Sequence, residues 1–326
     1  MDPVILLTAV VAAAPPILLA VLGETITEKA GILNLSLDGT LCLSAMAGFV
    51  AAYETGSVTV GFAAAMAVGA LAAGVVAAAG LALRQSQVAV GFVLALLGRD
   101  LAYVLGNAYA HRPGPQVAPL PLPVLAKLPV VGPVLFSHNL VVYLSVVAVA
   151  AAWFFLFRTQ PGLQLQGLGD RPLAAAVRGI PVARRQYLYA LLGGSLVGAG
   201  GAAFSLLVKP GWARPCGLEG VGWVVLALVI FGNWRPLRAA LGALFFVTLQ
   251  MLAPQLQSVF PNLPTQLIPT MPFPLMILAL LLVSAGEAEW VDRLLQKLPD
   301  RARCFVARLR SALIAAPPAG LGKVDE

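Results

Sequence analysis

The sequence predicts an all-α integral membrane protein, and three observations carry that prediction. Only 11% of the 326 residues are charged, against about 25% in a soluble globular domain. Hydrophobic residues make up 60%, and the mean hydropathy is +0.89. The apolar residues also gather in runs of the length needed to cross roughly 30 Å of hydrocarbon, about 20 helical residues. These runs lie near 4–23, 38–54, 58–82, 87–106, 138–157, 187–208, 219–231, 237–253 and 269–286. The expectation is therefore about nine spans, within a range of eight to ten, with broken helices and room for an inverted repeat.

The first run opens with Asp2 and has no basic segment before it, so it reads as a first span rather than a cleaved leader. Pro15-Pro16 should kink it. The runs at 38–54 and 219–231 are short. Gly39 to Tyr53 covers about 22 Å and Gly220 to Phe231 about 18 Å of helix. Each follows the same type of tripeptide, Leu37-Asp38-Gly39 and Leu218-Glu219-Gly220. Paired, glycine-interrupted short segments running in opposite directions point to a transport site built on broken helices. Residues 111–136 are proline-rich and read as an external loop. Gly198-Ala199-Gly200-Gly201-Ala202-Ala203 formally fits a dinucleotide fingerprint, but it sits in an apolar span with no strand before it. Together with Gly194 it reads as a small-residue face for close helix packing.

Between the fifth and sixth spans lies a polar, arginine-rich island, 159–186. Asp170 is placed to cap a helix whose first turn tolerates Pro172, and Gly179 to close it in a left-handed conformation. That leaves a helix of about eight residues, roughly 12 Å long and too short to be stable alone. Either it docks on another protein or the stretch is an ordinary basic loop. The domain division is 1–286, the spans with this loop, and 287–326, a basic tail. In the tail Val291, Leu294, Leu295 and Leu298 share one helical face, Trp290 flanks it, and arginines follow; it reads as an amphipathic helix on the inner leaflet.

If the arginine-rich stretch 158–185 is cytoplasmic, sixteen Lys and Arg residues fall on the cytoplasmic side and four (Arg112, Lys127, Lys209 and Arg214) outside, with Arg99 in a span. The positive-inside rule then places the N-terminus outside and the C-terminus in the cytoplasm. The net charge of +7 is spent on this asymmetry; no basic patch interleaved with aromatics suggests nucleic acid. Cys42, Cys216 and Cys304 lie far apart in sequence and read as packing residues, His111 and His138 are isolated, and no metal site is expected. No nucleophile–base arrangement and no G-x-x-x-x-G-K-[ST] occurs, Gly322-Lys323 being followed by Val324.

The candidate pathway residues are Asn34, Asp38, Gly39, Gln87, Arg99, Asp100, Glu219 and Gly220. Asp38 is either a functional intramembrane acid capping its own half-helix or a plain cap near the interface. Glu219 is either its counterpart or a headgroup-level acid. Asn34 either bonds exposed backbone at the break or makes an Asx turn. Arg99 and Asp100 point about 100° apart on a helix and are not expected to pair; one faces a cavity, or else the helix breaks at Gly98 and both reach the interface.

Three stretches resemble one known family, the permease subunits of ABC importers for nucleosides, simple sugars and branched-chain amino acids. Glu28-Lys29-Ala30-Gly31-Ile32-Leu33-Asn34-Leu35-Ser36-Leu37-Asp38-Gly39 is similar to the pattern E-[KR]-[AS]-G-[VI]-x-N-[IL]-x-[LV]-[ED]-G. Gln87-Val88-Ala89-Val90-Gly91 is similar to N-Q-V-x-x-G, with Ser86 in place of Asn. Gly169-Asp170-Arg171-Pro172-Leu173-Ala174-Ala175-Ala176-Val177-Arg178-Gly179-Ile180 is similar to G-x-N-P-x-A-A-x-x-x-G-I. The resemblance covers roughly residues 5 to 285, and the shorter permease of nucleoside-type systems fits best. The fourth span departs from the pattern, with Ala95 and then Gly98-Arg99-Asp100 where Asn and small apolar residues are usual.

The resemblance implies that Gly169, Asp170, Arg171, Pro172, Ala175, Ala176, Arg178, Gly179 and Ile180 form a coupling helix seated in a separate ATPase. It implies no cofactor on this chain, with ATP and Mg on the ATPase. The implied partners are a second permease, favoured as a heterodimer, two ATPase subunits, an extracytoplasmic solute-binding protein and membrane lipids, in a bacterial-type inner membrane. The solute would be small and polar, a nucleoside or related sugar. An ion-gradient-driven secondary transporter using Asp38 or Asp100, and a structural subunit with no pathway, are the alternatives.

Overall fold

The computed structural model describes residues 3–121 and 131–259, with isolated positions at 126, 129, 274, 277, 318 and 320–322. The ninth run, 269–286, and the tail face around Trp290 lie outside the described residues apart from those positions. The described regular structure is helical, with one isolated bridge between Pro119 and Asn139.

Helix α1 (Pro3–Ala13) and helix α2 (Pro15–Lys29) form one bent unit with a 47° angle. The bend falls at Pro15-Pro16, where the missing N–H groups and the rings interrupt the helical ladder. There follow α3 (Leu37–Thr55), α4 (Val58–Leu81), α5 (Gln87–Gly106), α6 (Leu140–Arg158), α7 (Gln160–Asp170), α8 (Pro172–Val177), α9 (Val182–Ala203), α10 (Val221–Phe231) and α11 (Pro236–Val259). Five described helices are long and apolar enough to cross a membrane, namely α4, α5, α6, α9 and α11, and the bent α1–α2 unit makes six. The expected nine spans are therefore not confirmed, the ninth run lying outside the described residues. The 38–54 run became α3, largely buried and carrying Asp38 in its first turn, and the 219–231 run became the short α10.

Helix α9 is the centre of the bundle and packs on α2, α3 and α4. Its small residues permit this: a Cβ on Gly194 would lie 2.4 Å from the Gly69 carbonyl oxygen of α4, and one on Gly198 would lie 2.1 Å from that of Ala65. The close-packing reading of this stretch therefore holds. The core joins Leu37, Leu41 and Phe49 of α3 to Val225, Leu228 and Val229 of α10 and Phe246 of α11. Outward, α4, α5 and α6 expose apolar side chains such as Leu71, Leu97, Val104 and Val147, faces suited to hydrocarbon rather than water.

Candidate functional site

Helix α5 serves as a ruler for the site. Ser86 caps it, its hydroxyl accepting from the Ala89 amide at 3.3 Å. Gln87, the first helical residue, is buried, and its Oε1 accepts from the Leu33 amide at 2.8 Å. Further along, Gly91 lies against Leu35 and Gly98 against Gly39. The segment 33–39 therefore climbs α5 by about 16 Å from Gln87 to Gly98, roughly half the hydrocarbon thickness.

At that level α3 and α10 begin, and their starts meet. Asp38 is buried, and its Oδ1 accepts from the Gly220 amide at 2.7 Å and from the Gly222 amide at 3.3 Å. This corrects the expectation that Asp38 caps its own half-helix. It lies inside the first turn of α3, whose N-cap is Ser36, and it caps α10 across 182 residues of chain. The carboxylate thus meets the positive end of a second helix. The approach depends on Gly222, where a Cβ would lie 2.2 Å from the Asp38 nitrogen. Gly220 takes φ +82°, which turns the chain into α10.

The second acid of the paired tripeptides organises the preceding turn. Glu219 accepts from the amides of Cys216 at 2.9 Å and Gly217 at 2.7 Å and from the Tyr103 hydroxyl of α5. It is half-buried against α5. From the junction α10 runs toward the end of α2, where Trp234 bonds Glu28, while α3 runs the other way, toward Tyr109. The charge of Arg99 acts on Asp38. Helix α5 does not break at Gly98, and Arg99 and Asp100 do pair, with Nε 3.6 Å from Oδ1. The length of the arginine side chain closes the angle that separates neighbouring positions. Asp100 is 72% exposed.

Below the junction Asn34 makes the Asx turn, its Oδ1 accepting from the Ser36 amide at 3.2 Å and the Ser36 hydroxyl at 2.6 Å. Sequence reasoning missed its neighbours. Glu24 and Glu28 stand one turn apart on α2, both buried, with Asn34 beside Glu24 and the Trp234 indole donating to Glu28 at 2.5 Å. Two acids four residues apart in an apolar run were the signal available. Cys42 and Cys216, read as scattered packing residues, are in contact, sulfur to sulfur at 3.5 Å.

The polar island folds as α7 and α8. Thr159 caps α7 by accepting from the Gly162 amide at 3.2 Å. Asp170 ends α7 rather than capping α8, and the cap position falls to Arg171, at φ −145° and ψ 76°, with no side-chain cap bond. The physical reason is Pro172, whose ring excludes helical geometry from the residue before it. Helix α8 has six residues rather than about eight. It closes as expected: Gly179 has φ +79°, its amide donates to the Ala176 carbonyl at 2.9 Å, and Ile180 donates to that of Ala175 at 3.1 Å. Only Ala175 of α8 is buried; Ala176 and Arg178 face outward, and Leu173 and Val177 are 76% and 90% exposed.

From α8 a chain of contacts leads back to the broken helices. Gly169 lies against the Lys29 carbonyl, Asp170 attracts Lys29, and Gln186 donates to the Ala30 carbonyl at 2.9 Å. Residues 320–322 bridge the same two places, Gly320 donating to the Gly169 carbonyl at 2.7 Å and Gly322 to that of Gly31 at 3.2 Å. Among the described residues no group of three metal-ligating side chains occurs.

A protein of Haloferax volcanii, provisionally named the glucose ABC transporter permease TsgC13, is 37% identical over 267 residues, 79% of this chain and 81% of its own. The guanosine ABC transporter permease NupQ of Bacillus subtilis is 30% identical over 300 residues, 86% and 93% of the two chains. The nucleoside ABC transporter permease NupC of Lactococcus lactis is 28% identical over 249 residues, 73% and 78%. These relatives leave the ion-driven and the purely structural alternatives without support. Residues 6–285 match the family described as the branched-chain amino acid transport system permease component, and the chain belongs to that family of multi-pass ABC transporter permeases.

Proposed function

We propose that the chain forms, with a second permease subunit, the pathway of an ATP-driven importer of a small polar solute, a nucleoside or related sugar. The printed names of its relatives, glucose, guanosine and nucleoside permeases, support that solute class. ATP and Mg belong to two separate ATPase subunits, and a solute-binding protein delivers from outside. The observation that carries the reading is the bare apolar pair Leu173 and Val177 on a six-residue helix. A helix this short is not stable alone, and two such side chains beside exposed arginines fit a groove on a partner. The ATPase fits, because motion of α8 passes through Gly169, Lys29 and Gly31 to the segment that climbs to Asp38.

Two further features support the arrangement. Arg99 and Asp100 sit on the outer face of α5 near mid-bilayer depth, where hydrocarbon cannot cover charge cheaply. The second permease and a wet pathway can. The heterodimer is preferred because the chain resembles the shorter of two permeases. Gly320 and Gly322 dock on the α8 side, in keeping with a cytoplasmic C-terminus, an external N-terminus and a bacterial-type inner membrane.

The test is a chain carrying Leu173→Asp with Val177→Asp. Both positions are exposed, so the chain should insert and purify like wild type. Solute-stimulated ATP hydrolysis by the reconstituted complex should fall about tenfold or more, the loss of two interface anchors. Unchanged hydrolysis and uptake would reduce α8 to a surface loop.

A further inference from the structure

Cys42 and Cys216 are 174 residues apart in sequence, yet their sulfur atoms lie 3.5 Å apart and both side chains are buried. Their positions matter more than their closeness. Cys42 follows Asp38 by one turn on the same face of α3. Cys216 belongs to the turn that presents Glu219 and Gly220, and its amide is held by Glu219. Its sulfur accepts from the Leu218 amide at 3.4 Å, which keeps it aimed at α3. The pair therefore spans the junction at which Asp38 caps α10. One of the two is also reachable. Cys216 lines a cavity of about 310 Å³ with Trp212, Ser205, Lys209, His111 and Arg112, on the side of the molecule away from α8.

We propose that Cys42 and Cys216 form a redox latch: as thiols they leave the two broken helices free to part, and as a disulfide they tie α3 to the turn before α10 and stop transport. The sulfurs need to approach by about 1.5 Å to reach bonding distance. The oxidant is a small-molecule disulfide entering through the cavity. The Cys216 thiolate attacks one of its sulfurs and expels the other half as a thiolate, giving a mixed disulfide. The Cys42 thiolate then attacks the Cys216 sulfur, and the second half leaves as a thiolate. The two protons released by the cysteines are taken up by the two leaving thiolates; the cysteine pair loses two electrons and the small disulfide gains them. In the orientation proposed above the cavity opens to the outside, the compartment in which such oxidants persist. The loss of transport rests on the permease reading; the bond itself does not.

The experiment uses the full complex in liposomes, its chain carrying Cys304→Ser so that only one pair can close. Cystamine is the probe. The expected result is a Cys42 peptide linked to a Cys216 peptide by mass mapping, with loss of ATP-driven uptake that dithiothreitol restores. Cys216→Ser should show the same uptake before and after cystamine, and Cys42→Ala should form no linked peptide. No linkage in the parent chain, or linkage with undiminished uptake, overturns the latch. Uptake that needs no ATPase counts against the permease reading instead, and the linkage is still read by mass.

Discussion

Asp38→Ala should abolish uptake while the chain still reaches the membrane. The substitution removes the acceptor of two amides, Gly220 and Gly222, at a buried helix start. A buried donor left unpaired costs about 1–3 kcal/mol, and the positive end of α10 loses its countercharge as well. The loss falls on the contact between α3 and α10 rather than on the body of the bundle, which is held through α9. Asp38→Asn keeps a side-chain oxygen and should lie between wild type and Ala. The measurement is solute uptake by reconstituted complex, normalised to the amount of chain. Wild-type uptake by Asp38→Ala would make this acid a packing detail.

Gly222→Ala should be as damaging for a different reason. The added Cβ would lie 2.2 Å from the Asp38 nitrogen and 2.3 Å from its Cα. These are backbone atoms, so no side chain can rotate away, and α10 must lift off α3. Overpacking of this kind costs about 3 kcal/mol. The variant should melt at lower temperature in detergent and lose transport, while Gly167→Ala, with nothing within 4 Å of its Cβ, should not melt lower. Equal melting of Gly222→Ala and wild type would mean that the two helix starts are not in contact in the protein.

Much of this site was legible in the sequence because it is written in local chemistry. The two Leu-acid-Gly tripeptides flagged the broken helices, and Gly179-Ile180 flagged the end of α8, since each is a backbone requirement met by few residue types. What was not legible depends on chain returns of more than a hundred residues. That Asp38 caps α10, that Cys42 meets Cys216 and that Trp234 bonds Glu28 follow from the packing of α10 on α2 and α3 and not from any spacing. Asp170 misled as a cap because its cap chemistry was weighed without the conformational demand that Pro172 makes on Arg171. The span count stays open at the ninth run, which lies outside the described residues, and at α3 and α10, which fall short of the length or hydropathy of a full crossing.

In the proposed importer, motion of α8 opens the Asp38 junction at the expense of ATP. The most direct measurement is solute uptake into liposomes holding this chain and its partner permease, with and without the ATPase subunits, ATP supplied on the α8 side. Uptake is expected only with both ATPase and ATP, and is expected to be lost together with hydrolysis when Leu173 and Val177 are made Asp. Uptake in the absence of the ATPase subunits would contradict this coupling.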